Sequence, residues 1–170
     1  RFGYECFGML LWGFCKWLRA AMSAKGIERV YFFSRDGHNM KRAFDWLHRD
    51  DPEERSAYLE VSRRSLRIPV LWMDPELRTV LNMISYSMHI PLAALFDGVG
   101  LDMRDYADAI RSCGLDADFA FSHKDALKNR RLTALYERIK PDVAAHSKAE
   151  YLALLGYIRQ MGLGGKMAIA

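Results

Sequence analysis

Two short apolar runs, each broken off by a charged, hydroxyl-rich turn, constrain this chain more than any other feature. Val30-Tyr31-Phe32-Phe33 is rich in β-branched and aromatic residues and stops at Ser34-Arg35-Asp36-Gly37. Ala57-Tyr58-Leu59-Glu60-Val61 stops at Ser62-Arg63-Arg64-Ser65. Runs of four or five such residues bounded by turn signals read as buried strands. Between them Met40, Ala43, Phe44 and Leu47 fall at helical spacing. Before them Phe7, Leu10, Leu11, Phe14, Leu18, Ala21 and Met22 do the same, and Lys25-Gly26 closes that helix. Short buried strands alternating with helices predict an α/β fold built on a parallel sheet, Rossmann-like in type.

The next ninety residues read as helical. Asp74-Pro75-Glu76 predicts a helix start, with Asp74 as cap and Pro75 at the first position. Pro91 opens a short helix through Phe96. Asp102 caps another that ends before Gly114, and Ser122 with Asp125 forms a capping box for a helix through about Ile139. Pro141 opens the last helix, which Gly162, Gly164 and Gly165 stop, and Lys166 to Ala170 starts a third strand. The expected organisation is an α/β core segment at 1–73, a large helical insert at 74–161 and a further core strand at 162–170. Chemistry in such sheets sits beyond the carboxyl ends of strands. A chain that stops on its third strand is therefore expected to be an incomplete domain of a longer protein.

Composition narrows the function classes. At 51% hydrophobic and 27% charged, the chain is ordinary for a globular protein and unlike a disordered or fibrous one. The net charge of +4 suits small anions as well as nucleic acid, but its even spread over both halves and the lack of a known binding motif set nucleic acid last and lead to the expectation of no nucleic-acid partner. Cys6, Cys15 and Cys113 match no zinc or redox spacing and read as buried or half-buried thiols of a cytoplasmic protein. The longest apolar run, Cys6 to Cys15, falls short of the ~20 residues a bilayer span needs and reads as a buried helix face. The aromatic stripe Phe7, Phe14 and Trp17 reads as core, with Trp12 on the other face.

The chemistry-bearing candidates cluster at the two strand ends. A helix N-terminus after a strand offers unpaired N–H groups and a partial positive charge. There Ser34 can donate to a phosphate oxygen, Arg35 can pair with one bidentately, Gly37 permits the turn, and Asp36 can bind Mg²⁺, orient a water or move a proton. The bland alternative is that Ser34 or Asp36 merely caps the helix and Arg35 is a solvated charge. His38 stands beside the turn, as ligand contact or first-turn polar residue. Ser62, Arg63 and Arg64 add phosphate donors if the two strands are neighbours, or form a solvated turn if they are not. Asp116-Ala117-Asp118 has a metal-binding spacing but no strand to present it. Gly162-Leu163-Gly164-Gly165-Lys166 precedes a strand, whereas a phosphate loop follows one, so it reads as a helix stop.

These blocks carry a family resemblance. Gly8, Gly13-Phe14, Trp17-Leu18, then Gly26-Ile27, Val30-Tyr31-Phe32-Phe33-Ser34-Arg35-Asp36-Gly37 and Val61-Ser62-Arg63-Arg64-Ser65 together resemble the C-terminal region of predicted hydrolases of the haloacid dehalogenase (HAD) superfamily. Those proteins are associated with bacterial surface-polysaccharide synthesis and with glycosyltransferases. The resemblance implies a HAD-like fold, a phosphorylated small molecule or sugar phosphate as ligand, phosphate-ester hydrolysis with Mg²⁺, and a glycosyltransferase domain as partner. The turn residues read above would then serve that chemistry, Asp36 as catalytic and metal-binding residue, with Ser34, Arg35, Gly37, His38, Ser62, Arg63 and Arg64 binding substrate. The superfamily's D-x-D-x-[TV] nucleophile motif is absent from the chain: Phe119 and Ala120 follow Asp118, and no strand precedes Asp116. That motif is expected upstream of residue 1 and an Asp-Gly segment after Ala170, which would leave the fragment alone inactive. The alternative is a non-catalytic module that docks a glycosyltransferase domain through an exposed apolar patch near Trp12 or Trp72.

Overall fold

A computed structural model describes residues 3–51 and 55–170. The chain divides into two compact units. One comprises Arg1–Ser62 with Tyr157–Ala170, and the other Arg63–Gly156.

The first unit is an α/β layer. After a π-turn at Gly3–Phe7, helix α1 runs Gly8–Lys25 and ends at Gly26, whose φ of 63° is the left-handed conformation a C-terminal glycine supplies. Strand β1 follows at Arg29–Phe33, helix α2 at Gly37–Leu47 and strand β2 at Ser56–Leu59. The second strand thus begins and ends earlier than its apolar run suggests. Residues 52–54 of the charged loop before it lie outside the described residues. The last strand of the chain, Met167–Ile169, lies on the other side of β1, so the sheet is parallel with β1 in the centre.

Val30 and Phe32 point to one face and meet Cys15, Leu18 and Met22 of α1 and Phe44 of α2. The Phe32 and Phe44 rings lie 5.8 Å apart. Tyr31, 1% exposed, points to the opposite face and donates its hydroxyl to the Gly162 carbonyl at 2.9 Å. Ser56 donates to the Asp45 carboxylate, tying the start of β2 to α2.

Helix α1 departs from the expectation of a single buried face. Leu10 is 69%, Trp17 63% and Phe7 49% exposed, so the stripe of Phe7 and Trp17 is not core. Cys6 is exposed as well, whereas Cys15 is fully buried, and that burial pushes its thiol pKa up. The inward face is the narrower set Cys15, Leu18 and Met22, with Phe14 half-buried against them. Among the described residues no helix is long and apolar enough to cross a membrane.

The second unit is helical around its own core. It contains α3 (Arg63–Arg67), a 3₁₀ segment at Ile68–Met73, α4 (Leu77–Met83), α5 (Leu92–Val99), α6 (Ala107–Ser112) and most of α7 (Arg130–Gln160). An antiparallel pair of two-residue strands, β3 (Ile90–Pro91) with β4 (Ala120–Phe121), also belongs to it; the strand that closes the chain in the first unit is β5. The core includes Leu71, Leu92, Leu95, Phe96, Leu132, Leu135, Tyr136 and Ile139.

Several predicted helix boundaries move here. Helix α4 starts at Leu77, two residues after Pro75, and the Asp74 carboxylate accepts from Thr79 Oγ1 at 2.5 Å. Helix α5 absorbs Gly98 and ends at Gly100, φ 80°. Ser122 and Asp125 do form reciprocal hydrogen bonds, at 2.7 and 3.1 Å, but over a turn and a short 3₁₀ segment. The long helix instead begins after Asn129, whose side-chain oxygen accepts from the amides of Arg131 and Leu132 at 3.1 Å. Pro141 does not open a helix; it lies inside α7. An interior proline removes one backbone bond and costs ~3 kcal/mol. The stripe Leu132, Leu135, Tyr136, Ile139, Val143 and Ser147 is buried through that point and offsets the cost.

Candidate functional site

The in-register parallel pairing Val30↔Ser56 to Phe33↔Leu59 brings the two hydroxyl-rich turns to the same end of the sheet. The Ser34 amide donates to the Leu59 carbonyl at 3.0 Å, and the Ser34 hydroxyl to the Val61 carbonyl at 2.5 Å. That hydroxyl proton, expected to serve a phosphate oxygen, instead clamps the β1 turn to the end of β2. The Ser34–Arg35 peptide is cis.

Arg35 and Asp36 are exposed, and among the described residues neither makes an ion pair or a side-chain hydrogen bond. Asp36 stands at the N-cap position of α2 in helical conformation without capping it. Capping is therefore not what Asp36 does here. Gly37 is buried, and a Cβ on it would come within 2.9 Å of Phe32 Cβ and 3.0 Å of the Phe32 carbonyl carbon. Only glycine lets the helix start pass this close to the strand, the packing that sets a helix N-terminus against a strand end. His38 is exposed and presents its ring edge-on to Tyr58 at 5.6 Å.

Ser62 ends the first segment of the first unit, and Arg63 and Arg64 are exposed residues of α3 in the second. The turn residues that the structure brings together are thus Ser34 to His38 with Glu60 to Ser62. No described set of three or more His, Cys, Asp or Glu side chains is arranged to hold a metal ion, and this includes Asp116 and Asp118. Asp36 supplies a carboxylate at the turn after β1, and Glu60 a second one at the end of β2. That suits Mg²⁺, which keeps several waters and takes one or two carboxylates together with substrate phosphate oxygens.

Among the described residues the first unit also carries an apolar groove and a polar cleft. The groove, of about 1020 Å³, is lined by Phe7, Met9, Trp12, Ala43, Trp46 and Leu47, with Asn39 and Arg42 at its side. The cleft, of about 310 Å³, lies at the amino ends of the strands, lined by Glu28, Arg29, Tyr31, Arg55, Gly162, Gly164 and Lys166. Arg29 and Arg55 were not legible as a pair in the sequence, because only the sheet register puts them side by side. Comparison with known proteins, by family model and by curated sequence, gives no match.

Proposed function

We propose that the first unit binds the phosphoryl group of a phosphorylated small molecule, such as a sugar phosphate, at the carboxyl end of β1. In this reading it is the phosphate-binding portion of a HAD-like hydrolase serving surface-polysaccharide synthesis in the cytoplasm. The observation that carries the reading is the strand order β2-β1-β5 with all strands parallel. The chain leaves β1 to one side for β2 and returns to the other side for β5. Ligands of open α/β sheets bind at such a switch point, outside the carboxyl ends of the strands. The turn Ser34 to Gly37 stands there.

The roles follow from the geometry. The first-turn amides of α2 face the incoming anion with the positive end of the helix dipole. Arg35 pairs with two phosphoryl oxygens, and its guanidinium has no partner to leave among the described residues. Asp36 is a carboxylate available to a Mg²⁺ ion or to a water. Ser34 braces the turn through Val61 and leaves recognition to Arg35 and the amides. Bound Mg²⁺ would supply charge neutralisation at the phosphoryl oxygens.

A thermal-shift panel of sugar phosphates tests this. A ligand at a hundred times its Kd stabilises by ~2.7 kcal/mol, which for a chain of this size raises Tm by about 5–10 °C. Arg35→Ala is expected to lose the shift. A panel without any stabilising phosphate, or an equal response in Arg35→Ala, refutes the reading.

The groove beside Trp12 and Trp46 favours a second reading, a module that docks a glycosyltransferase domain. Trp12 and Trp46 are 50% and 65% exposed, and Met9 68%. Apolar clusters of this kind mark interaction surfaces. This reading predicts no response to any phosphate and a partner-binding defect in Trp46→Ser.

A further inference from the structure

The polar cleft at the amino ends of the strands is a different place from the turn after β1. Five residues of strand at ~3.3 Å each put the two ends about 16 Å apart. Three cations converge on this cleft from three strands: Arg29 opens β1, Arg55 precedes β2, and Lys166 precedes β5. Among the described lining residues Glu28 is the one carboxylate. Neither Arg29 nor Lys166 makes an ion pair among the described residues. With Glu28 as the described counter-charge, Arg29 and Lys166 leave a net positive charge that a bound anion relieves.

The fourth wall is the glycine loop at 162–165. The Tyr31 hydroxyl holds it against the sheet by donating to the Gly162 carbonyl at 2.9 Å, and the Glu28 amide by donating to the Lys166 carbonyl at 2.9 Å. Gly162 and Gly165 have positive φ, at 66° and 72°. The amides of Gly164 and Gly165 have no backbone acceptor among the described residues. A Cβ at Gly164 would meet nothing within 4 Å, so the backbone there is open to a ligand. The Arg55 carbonyl accepts from Val30 N at 2.8 Å, which fixes the Arg55 main chain beside β1.

We propose that this cleft is a second anion site, which takes the phosphate group of a small molecule between Arg29, Arg55, Lys166 and the amides of Gly164 and Gly165. Guanidinium forks and free amides arriving from several directions match a tetrahedral oxyanion better than a planar carboxylate. The volume accommodates a phosphate or pyrophosphate group and little more. The site is separate from the one at Arg35, and each stands or falls alone.

The test is a titration of ¹⁵N-labelled protein with inorganic pyrophosphate at constant ionic strength, following the glycine amide resonances. Saturable shifts of Gly164 and Gly165 are expected, and Lys166→Ala and Arg29→Gln should each weaken them roughly tenfold. Lys166→Arg should restore binding. Lys166 is exposed, so its variants keep the fold. Unmoved Gly164 and Gly165 signals, an equal response to chloride, or wild-type affinity in both loss variants overturns the proposal. A response of Gly37 that Arg35→Ala abolishes reports the other site. Its absence beside a positive Gly164 result sinks the first reading and leaves this one.

Discussion

Gly37 is the residue whose replacement discriminates most sharply between a turn that is merely flexible and one built by close packing. Its φ is not in the left-handed region, so alanine meets no backbone penalty there. Alanine also restricts the unfolded chain, a gain of ~0.4–1 kcal/mol. Against this stands the Cβ, which would come within 2.9 Å of Phe32 Cβ and 3.0 Å of its carbonyl carbon. Phe32 is fully buried in the central strand and packs on Phe44, so it has nowhere to retreat. Overpacking of a close-packed site costs about 1–3 kcal/mol. The expected net for Gly37→Ala is a loss of about 1–2 kcal/mol, or some 2–8 °C in Tm for a chain of this size. Gly13→Ala is the control: it lies in the middle of α1 with nothing within 4 Å of its Cβ and should gain about 0.5–1 kcal/mol. Urea unfolding of both variants reads the contrast. A Gly37→Ala protein as stable as the wild type would refute the close-approach account of this turn.

Other consequences are as direct. Ser147, fully buried, donates to the Ile68 carbonyl at 2.6 Å and accepts from the Trp72 amide at 2.7 Å. Ser147→Ala strands both groups and should cost about 2–3 kcal/mol by chemical denaturation. Tyr31→Phe removes the hydroxyl that pins Gly162. It should cost ~1 kcal/mol and speed amide exchange at residues 162–165 while leaving α1 protected. Tyr106 titrates at about 12, raised by burial first and then by its hydrogen bond to Asp142. A raised folded pKa favours the protonated phenol. Its contribution to stability is full below the unfolded value near 10 and is lost as pH rises from about 10 to about 12. Thermal melts across that range should show the loss in the wild type and a shallower one in Tyr106→Phe.

The legible parts of the fold were those a few neighbouring residues decide. The β-branched and aromatic run at Val30 to Phe33 is a strand because its side chains suit a pleated, buried surface. Gly26 ends α1 because only glycine takes that φ cheaply. Asp102 caps its turn by accepting from the Arg104 amide at 3.0 Å, a local bond visible in the residue type. The turn at Ser34 was legible as a candidate site for the same reason: strand, break and helix start follow one another without a gap.

What the chain could not announce depends on residues far apart in it. Pro141 reads as a helix start in isolation, yet burial of Leu135, Tyr136, Ile139 and Val143 in one core outweighs a single lost bond. Phe7 and Trp17 share the helical period of core residues, but periodicity cannot tell which of two apolar faces finds the sheet. Ser34 as a hydroxyl on offer to phosphate became Ser34 bonded to Val61 once the strands paired. The convergence of Arg29, Arg55 and Lys166 exists only through the register of three strands separated by up to 137 positions in sequence. Local steric preference and hydrogen bonding wrote the elements into the sequence. The placement of β5 beside β1, and with it the meeting of Arg29, Arg55 and Lys166, came from the burial and pairing energy of the assembled sheet.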